Sequence, residues 1–217
     1  MSTFEFSKKG QELIALYGQM AAHGYERSDN TKVEDAFGDF ELRPYRAQLA
    51  SLFREHGIAT VLDYGCGGSD WAAPGFDEGS GLSAIDYFQL DEAFRYEPAR
   101  GLDERRAVDC VVSFDVLEHI FISDVPKVLR DMFSCARKLL VLNVACYPAA
   151  ALLPNGENAH ITVRSPLWWR GMIDCISSEF PQTKICLICS TGWRQSSAFP
   201  MWSAEMWEHS PTFVVND

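Results

Sequence analysis

Four near-continuous apolar runs alternate with segments of helical period, and this alternation constrains the chain more than any other feature. The runs are "IATVLDYG" from Ile58, "AVDCVVSFDV" from Ala107, "LLVLNVACY" from Leu139 and "TKICLICST" from Thr183. Helical spacing appears in "KKGQELIALYGQMAAH" (8–23). It returns in "RAQLASLFREH" (46–56), where Leu49, Leu52 and Phe53 share one face and Gly57 ends the helix. Two more helices are expected. "SDVPKVLRDMFSCARK" (123–138) has Ser123 or Asp124 as N-cap and Pro126 in its first turn. "SPLWWRGMIDCISSEF" (165–180) is opened by Ser165 and Pro166. A last strand is expected in "PTFVVN" (211–216). Strands and helices in alternation make a parallel sheet covered on both faces, and the handedness of the crossovers makes it doubly wound. Such sheets bind ligands beyond the carboxyl ends of their strands, where strand order reverses.

The first run ends at that edge in glycine: "VLDYGCGGSDW", from Val61. A tight turn accounts for one glycine, not for Gly65, Gly67 and Gly68 together. Glycine belongs where backbone turns sharply or comes very close to something. The dinucleotide fingerprint G-x-G-x-x-G would need its third glycine at Asp70, where an aspartate opposes a phosphate. No Gly-Lys-Ser/Thr follows, so the P-loop pattern fails as well.

The length of 217 residues suggests one domain over 1–217. Lys+Arg 19 against Asp+Glu 30 leaves a net charge of -11, which argues against a nucleic-acid partner, since phosphate backbones require basic stripes. Arg100, Arg105 and Arg106, diluted by Asp103 and Glu104, read as a solvated loop. The seven cysteines are odd in number and sit mostly in apolar runs. "MSTFEFSKKG" has no secretory pattern, and no apolar run approaches the ~20 residues of a membrane span. A cytoplasmic protein with no membrane partner is expected. Cys186 and Cys189 lie three apart in a strand, so they face opposite sides and read as core. No metal ligands are expected.

Two motifs, in order, resemble a known family. "VLDYGCGG" resembles the first motif of class I S-adenosylmethionine (SAM)-dependent methyltransferases, and "VDCVVSFDVLEHI" (108–120) resembles their fourth-strand motif. "NGENAHITVRSPLWW" (155–169) is similar to a later pattern of a group of small bacterial methyltransferases. The resemblance runs from about residue 30 to about residue 175. It implies a Rossmann-like, doubly wound, mostly parallel seven-stranded sheet, with SAM as cofactor and S-adenosylhomocysteine as product. Residues 1–57 are expected to pack over the site.

The resemblance also implies roles. Asp63 faces the ammonium of SAM, directly or through water. Gly65, Cys66 and Gly67 let backbone approach the adenosine and the amino-acid tail. A second carboxylate accepts both ribose hydroxyls: Glu97 in "FRYEPAR" is preferred to Asp86 in "SAIDYF", which makes 69–93 an insertion loop folded over the site. Asp115 and Val116 edge the methionine half. His119 and His160 are candidate general bases, and each has a plainer reading as a hydrogen-bonded structural histidine. Asn158 and Arg164 bind a polar or anionic group of the acceptor. Trp168 and Trp169 point about 100° apart, so one packs in the core while the other, Trp168, walls the acceptor pocket or only packs. "GWRQSSAFPMW" (192–202) is a connecting loop or a lid. The expected reaction moves a methyl group to an oxygen or nitrogen of a small molecule. The alternatives are a non-catalytic SAM-binding or interaction protein and a nicotinamide-dependent oxidoreductase. The missing third glycine speaks against the latter.

Overall fold

The computed structural model describes residues 4–34, 37–38, 40–193, 195–204, 207–211 and 214–216. Helix α1 (Lys8–His23) leads into a short ribbon, β1 (Tyr25–Glu26) and β2 (Lys32–Val33). Then follow α2 (Arg46–Glu55), β3 (Thr60–Tyr64), α3 (Ala84–Phe88), β4 (Glu92–Glu97), β5 (Leu102–Asp103) and β6 (Val108–Phe114). The second half holds α4 (Val125–Cys135), β7 (Ala136–Ala145), α5 (Pro166–Ser177), β8 (Lys184–Gly192), β9 (Gln195–Ala198), β10 (Pro200–Trp202), β11 (Trp207–Pro211) and β12 (Val214–Asn216).

Strands β4, β3, β6, β7 and β8 pair in parallel, in that spatial order. Antiparallel β5 lies beside β4, and β9 beside β8, which completes the expected seven-stranded, mostly parallel sheet. β10 pairs with β8, β11 with β10, and β12 with β9. Strand order reverses between β3 and β6, so the ends of those two strands flank the crevice where this architecture takes ligands.

Alternation along the strands separates two cores. Val111, Leu140, Leu142 and Leu187 face α4 and α5, where Trp169 and Ile173 are fully buried. Cys110, Val112, Val141 and Ile188 face α2 and α3. Cys186 and Cys189 fall in opposite cores, as their spacing requires. A smaller cluster forms above the strand ends, where Leu13 and Met20 of α1 meet Leu153 and Ala159.

Several expectations change. Of residues 1–57, α1 covers the strand ends, but α2 packs beneath the sheet, because Leu49, Leu52 and Phe53 share the core of Val61. Residues 69–93 are not a loop over the site. Trp71, Phe76 and Phe88 sink into the α2 core, and the stretch ends in α3 and the start of β4. The helix expected over 123–138 stops at Cys135, because Ala136 already pairs with Val108 in the sheet. Gln195–Ala198 and Pro200–Trp202 are strands rather than a loop or lid; Arg194 lies outside the described residues. Of the strand expected over 211–216, Pro211 belongs to β11 and Val214–Asn216 form β12, while 212 and 213 lie outside the described residues. Arg105 is not solvated: it is held between Asp103 and Asp131 and lies over the Tyr96 ring.

Candidate active site

A cavity of about 1080 Å³ opens at the reversal between β3 and β6. Asp63, Glu97 and Asp115, near the ends of β3, β4 and β6, all line it. Asp63 is 7% exposed, and its Oδ2 accepts hydrogen bonds from Ser69 Oγ (3.0 Å) and Trp71 Nε1 (2.9 Å). Burial pushes its carboxyl up to about 6, against the pull of those two donors.

The glycine loop is closed in by protein. Gly65 and Gly67 have φ of 86° and 56°. A Cβ on Gly65 would run into the Val116 side chain, and one on Gly67 would lie 2.6 Å from the Phe37 carbonyl oxygen. The N–H groups of Gly65 and Cys66 donate to the Tyr96 carbonyl (2.7 and 3.3 Å), and that of Gly68 to the Phe37 carbonyl (2.7 Å). The Gly67 N–H donates to Glu97 Oε2 at 3.1 Å. Four successive donors are thereby committed inside the chain, whereas a phosphate cradle would aim them at the ligand. Cys66 borders the cavity with its thiol pushed up to about 12 by burial.

Glu97 Oε1 accepts the Ala99 N–H at 3.0 Å, so the carboxylate pins both the glycine loop and its own turn. Burial raises its pKa, opposed by these two backbone bonds. Asp86 sits in the first turn of α3, takes a 2.7 Å bond from Ser83 Oγ and does not line the cavity.

Beyond β6 the chain turns sharply. Asp115 adopts φ of 57°, a left-handed conformation sparsely used by non-glycine residues, and its N–H donates to the Asn143 carbonyl. Glu118 is fully buried, and its Oε1 accepts the Ala145 N–H. Burial and the Asp115 carboxylate push Glu118 well above the ordinary carboxylate range.

His119 and His160 meet edge-on, with ring centroids 4.9 Å apart. His119 Nδ1 is 2.9 Å from the Ala159 carbonyl and 3.1 Å from the Tyr17 hydroxyl; His160 Nδ1 is 2.5 Å from the Tyr147 carbonyl. A carbonyl only accepts, so both rings carry hydrogen on Nδ1, and in the neutral form each keeps its lone pair on Nε2. Burial lowers the pKa of His119 and favours that form. The segment "NAHITV" holds the pair together. Asn158 clasps Ala149 by both N–H and carbonyl and accepts the His160 N–H. Thr162 bonds the carbonyls of Glu118 and Ile120.

Three expected acceptor ligands lie elsewhere. The Asn158 amide is consumed by its clasp on Ala149 and does not border the cavity. Arg164 bonds the Val163 carbonyl and lies over the Trp168 ring. Trp168 packs on the α5 core beside the fully buried Trp169. Neither Arg164 nor Trp168 lines the cavity. In their place the lining includes Tyr17 from α1, Phe37 and Tyr147, which sequence reasoning missed. Glu118 lay inside a quoted motif, but nothing in its spacing marked it as buried.

Helix α1 closes the top. Ser7 caps it by accepting the Gly10 N–H, and donates its own N–H and Oγ–H to Asp124 (3.0 and 2.6 Å). Tyr17 donates to the Ala159 carbonyl at 2.5 Å.

Residues 33–194 match the model of a family described as a methyltransferase domain. Among solved structures, that of the mitomycin 7-O-methyltransferase MmcR is similar over 70% of this chain, at 12% identity and a TM-score of 0.33. The match spans 37% of that protein's chain. No curated protein matches the sequence.

Proposed function

The chain belongs to the methyltransferase-domain family, and from that premise we propose that it transfers the methyl group of SAM to an oxygen or nitrogen of a small molecule held in the same cavity. One observation carries this reading. Three carboxylates, Asp63, Glu97 and Asp115, converge with the glycine loop on one cavity whose loop N–H groups are already used. That lining suits a ligand with an ammonium, a sulfonium and ribose hydroxyls, and suits a pyrophosphate poorly.

Asp63 takes the ammonium, both of its internal bonds falling on Oδ2. Glu97 accepts the ribose hydroxyls, and Gly65–Gly67 lie along the adenosine and amino-acid tail. Asp115 and Val116 border the methionine half. SAM supplies a methyl group on an excellent leaving group, so the protein's task is to align the acceptor and exclude water. Helix α1 and Phe37 cover the cavity for this purpose. The acceptor end is the wall formed by Tyr147, His119 and His160. An acceptor O–H or N–H meets an imidazole lone pair there, and His160 serves as the base where no metal ion is bound. A non-catalytic binder would have that space blocked. Among the described residues no helix is long and apolar enough to cross a membrane, and the seven free cysteines suit a reducing cytoplasm.

Titration calorimetry with SAM, S-adenosylhomocysteine and NAD tests the reading. Binding of the first two and not of NAD is expected. Tight NAD binding without SAM heat overturns it.

A further inference from the structure

We infer that Asp115, His119 and His160 form a site for one divalent ion of the zinc type, and that the acceptor meets it through a hydroxyl oxygen. The three ligand atoms lie within 4.8 Å of one another, and all three residues line the cavity. Around a tetrahedral ion with bonds of about 2.0–2.1 Å, ligand atoms stand roughly 3.3 Å apart. Side-chain adjustment of about an ångström therefore closes the set.

Two further features favour a cation there. Each imidazole gives its Nδ1 hydrogen to a backbone carbonyl, Ala159 for one and Tyr147 for the other. That bond fixes the ring and leaves Nε2 as the lone pair, which is how metal-bound histidines are oriented. Asp115 is held at its unusual φ of 57° by the β6 turn, which fixes where its carboxylate departs from the backbone.

Two imidazoles and one carboxylate suit zinc, cobalt or iron(II) rather than calcium or magnesium, which prefer all-oxygen shells. Three protein ligands leave the fourth position open to the cavity, as in catalytic sites. The role of the ion rests on the methyl-transfer reading. A hydroxyl bound there is acidified and gives its proton to water. Its oxygen forms the bond to the methyl carbon as the carbon–sulfur bond breaks, the electron pair remaining on sulfur. His160 is then a ligand and not a base.

The test uses full-length protein stripped with a chelator and titrated with Co²⁺. Visible d–d absorption and the cobalt retained after gel filtration are read, with S-adenosylhomocysteine binding measured on the same samples. One cobalt per chain is expected, displaced by Zn²⁺. His160→Ala and Asp115→Asn should each weaken it at least about a hundred-fold, since loss of a mere outer partner already costs 10–100-fold. Asparagine tolerates the left-handed backbone at 115, so Asp115→Asn guards against misfolding. His160→Ala should keep S-adenosylhomocysteine affinity within about three-fold. No stoichiometric cobalt, or cobalt binding unchanged in both variants, overturns the site. Cobalt bound without S-adenosylhomocysteine leaves the metal site standing and removes the methyl-transfer reading; the converse removes the metal alone.

Discussion

The Glu97 carboxylate accepts the Gly67 N–H at 3.1 Å, so the end of β4 holds the glycine loop that follows β3. A residue read from sequence as a ribose ligand thus also shapes the wall against which the ribose would lie. Charge-assisted bonds of this kind contribute roughly 1.5–3 kcal/mol each. Glu97→Ala is expected to weaken SAM at least about ten-fold. Asp86→Ala, which breaks only a local bond to Ser83, should stay within about two-fold. Calorimetry on the two variants ranks them, and the opposite order would place the ribose elsewhere.

Gly65 and Val116 form a second coupled pair. Gly65→Ala forces a side chain into the left-handed region at roughly 1–2 kcal/mol and drives it into Val116. Denaturant unfolding should show a loss of about 2–4 kcal/mol once overpacking is added. Val116→Ala in the same chain should return part of it, in a double-mutant cycle that departs from additivity. Gly57→Ala is the control. It has φ of 55° with nothing near its Cβ, so only the backbone cost appears and SAM affinity is unchanged.

Asp63 sets a pH dependence. Its carboxyl titrates near 6 in the folded chain, above the ordinary 3.8, so the fold prefers it protonated. Ligand-free stability should therefore be highest below about pH 4 as far as this group is concerned. It should fall by about 3 kcal/mol as pH rises to 6. Asp63→Asn should flatten that part of the profile. Affinity for SAM should run the other way, rising as pH passes 6, because an ammonium rewards the ionised carboxylate. Calorimetry from pH 5 to 8 reads the slope; an affinity indifferent to pH in the wild type would remove Asp63 from the ammonium.

The tether of α1 to Asp124 gives a fourth expectation. Ser7→Ala removes a helix cap worth about 0.5–2 kcal/mol and takes from the fully buried Asp124 a hydroxyl donor. Amide exchange should accelerate across 8–23 before it changes in β6 or β7. Uniform acceleration throughout the chain would mean that α1 is not a separate unit.

Strands, the glycine loop and the β6 turn were legible because their signals are local. A buried strand is a short apolar run, and the glycine loop and the β6 turn follow within a few residues. Glu97 is preferred to Asp86 on the resemblance of its strand end to the group of small bacterial methyltransferases; it ends β4 and lines the cavity, whereas Asp86 sits in α3 away from it. The acceptor side was not legible. His119 and His160 are brought together by Asn158, Thr162 and Glu118 through bonds that no periodicity announces. The polar and aromatic residues beside them, Asn158, Arg164 and Trp168, are used in holding that loop or covering α5. Two amphipathic helices, α1 and α2, have similar patterns and dock at opposite places, since an apolar stripe says that a face is covered but not by what.

Helix α1 is made first and seated late. Its bonds to Asp124, Ala159 and Glu157 span 117, 142 and 148 residues of chain. At synthesis rates of roughly 5–20 residues per second, its apolar face waits about 7–30 s for the surface it covers. Of the parallel strands, β3, β4, β6 and β7 are made in that interval and β8 only after it. The roof goes on only after "NAHITV" has left the ribosome, so a chain stalled before residue 160 would carry the glycine-loop half of the cavity without a cover, and with a sticky helix in search of one.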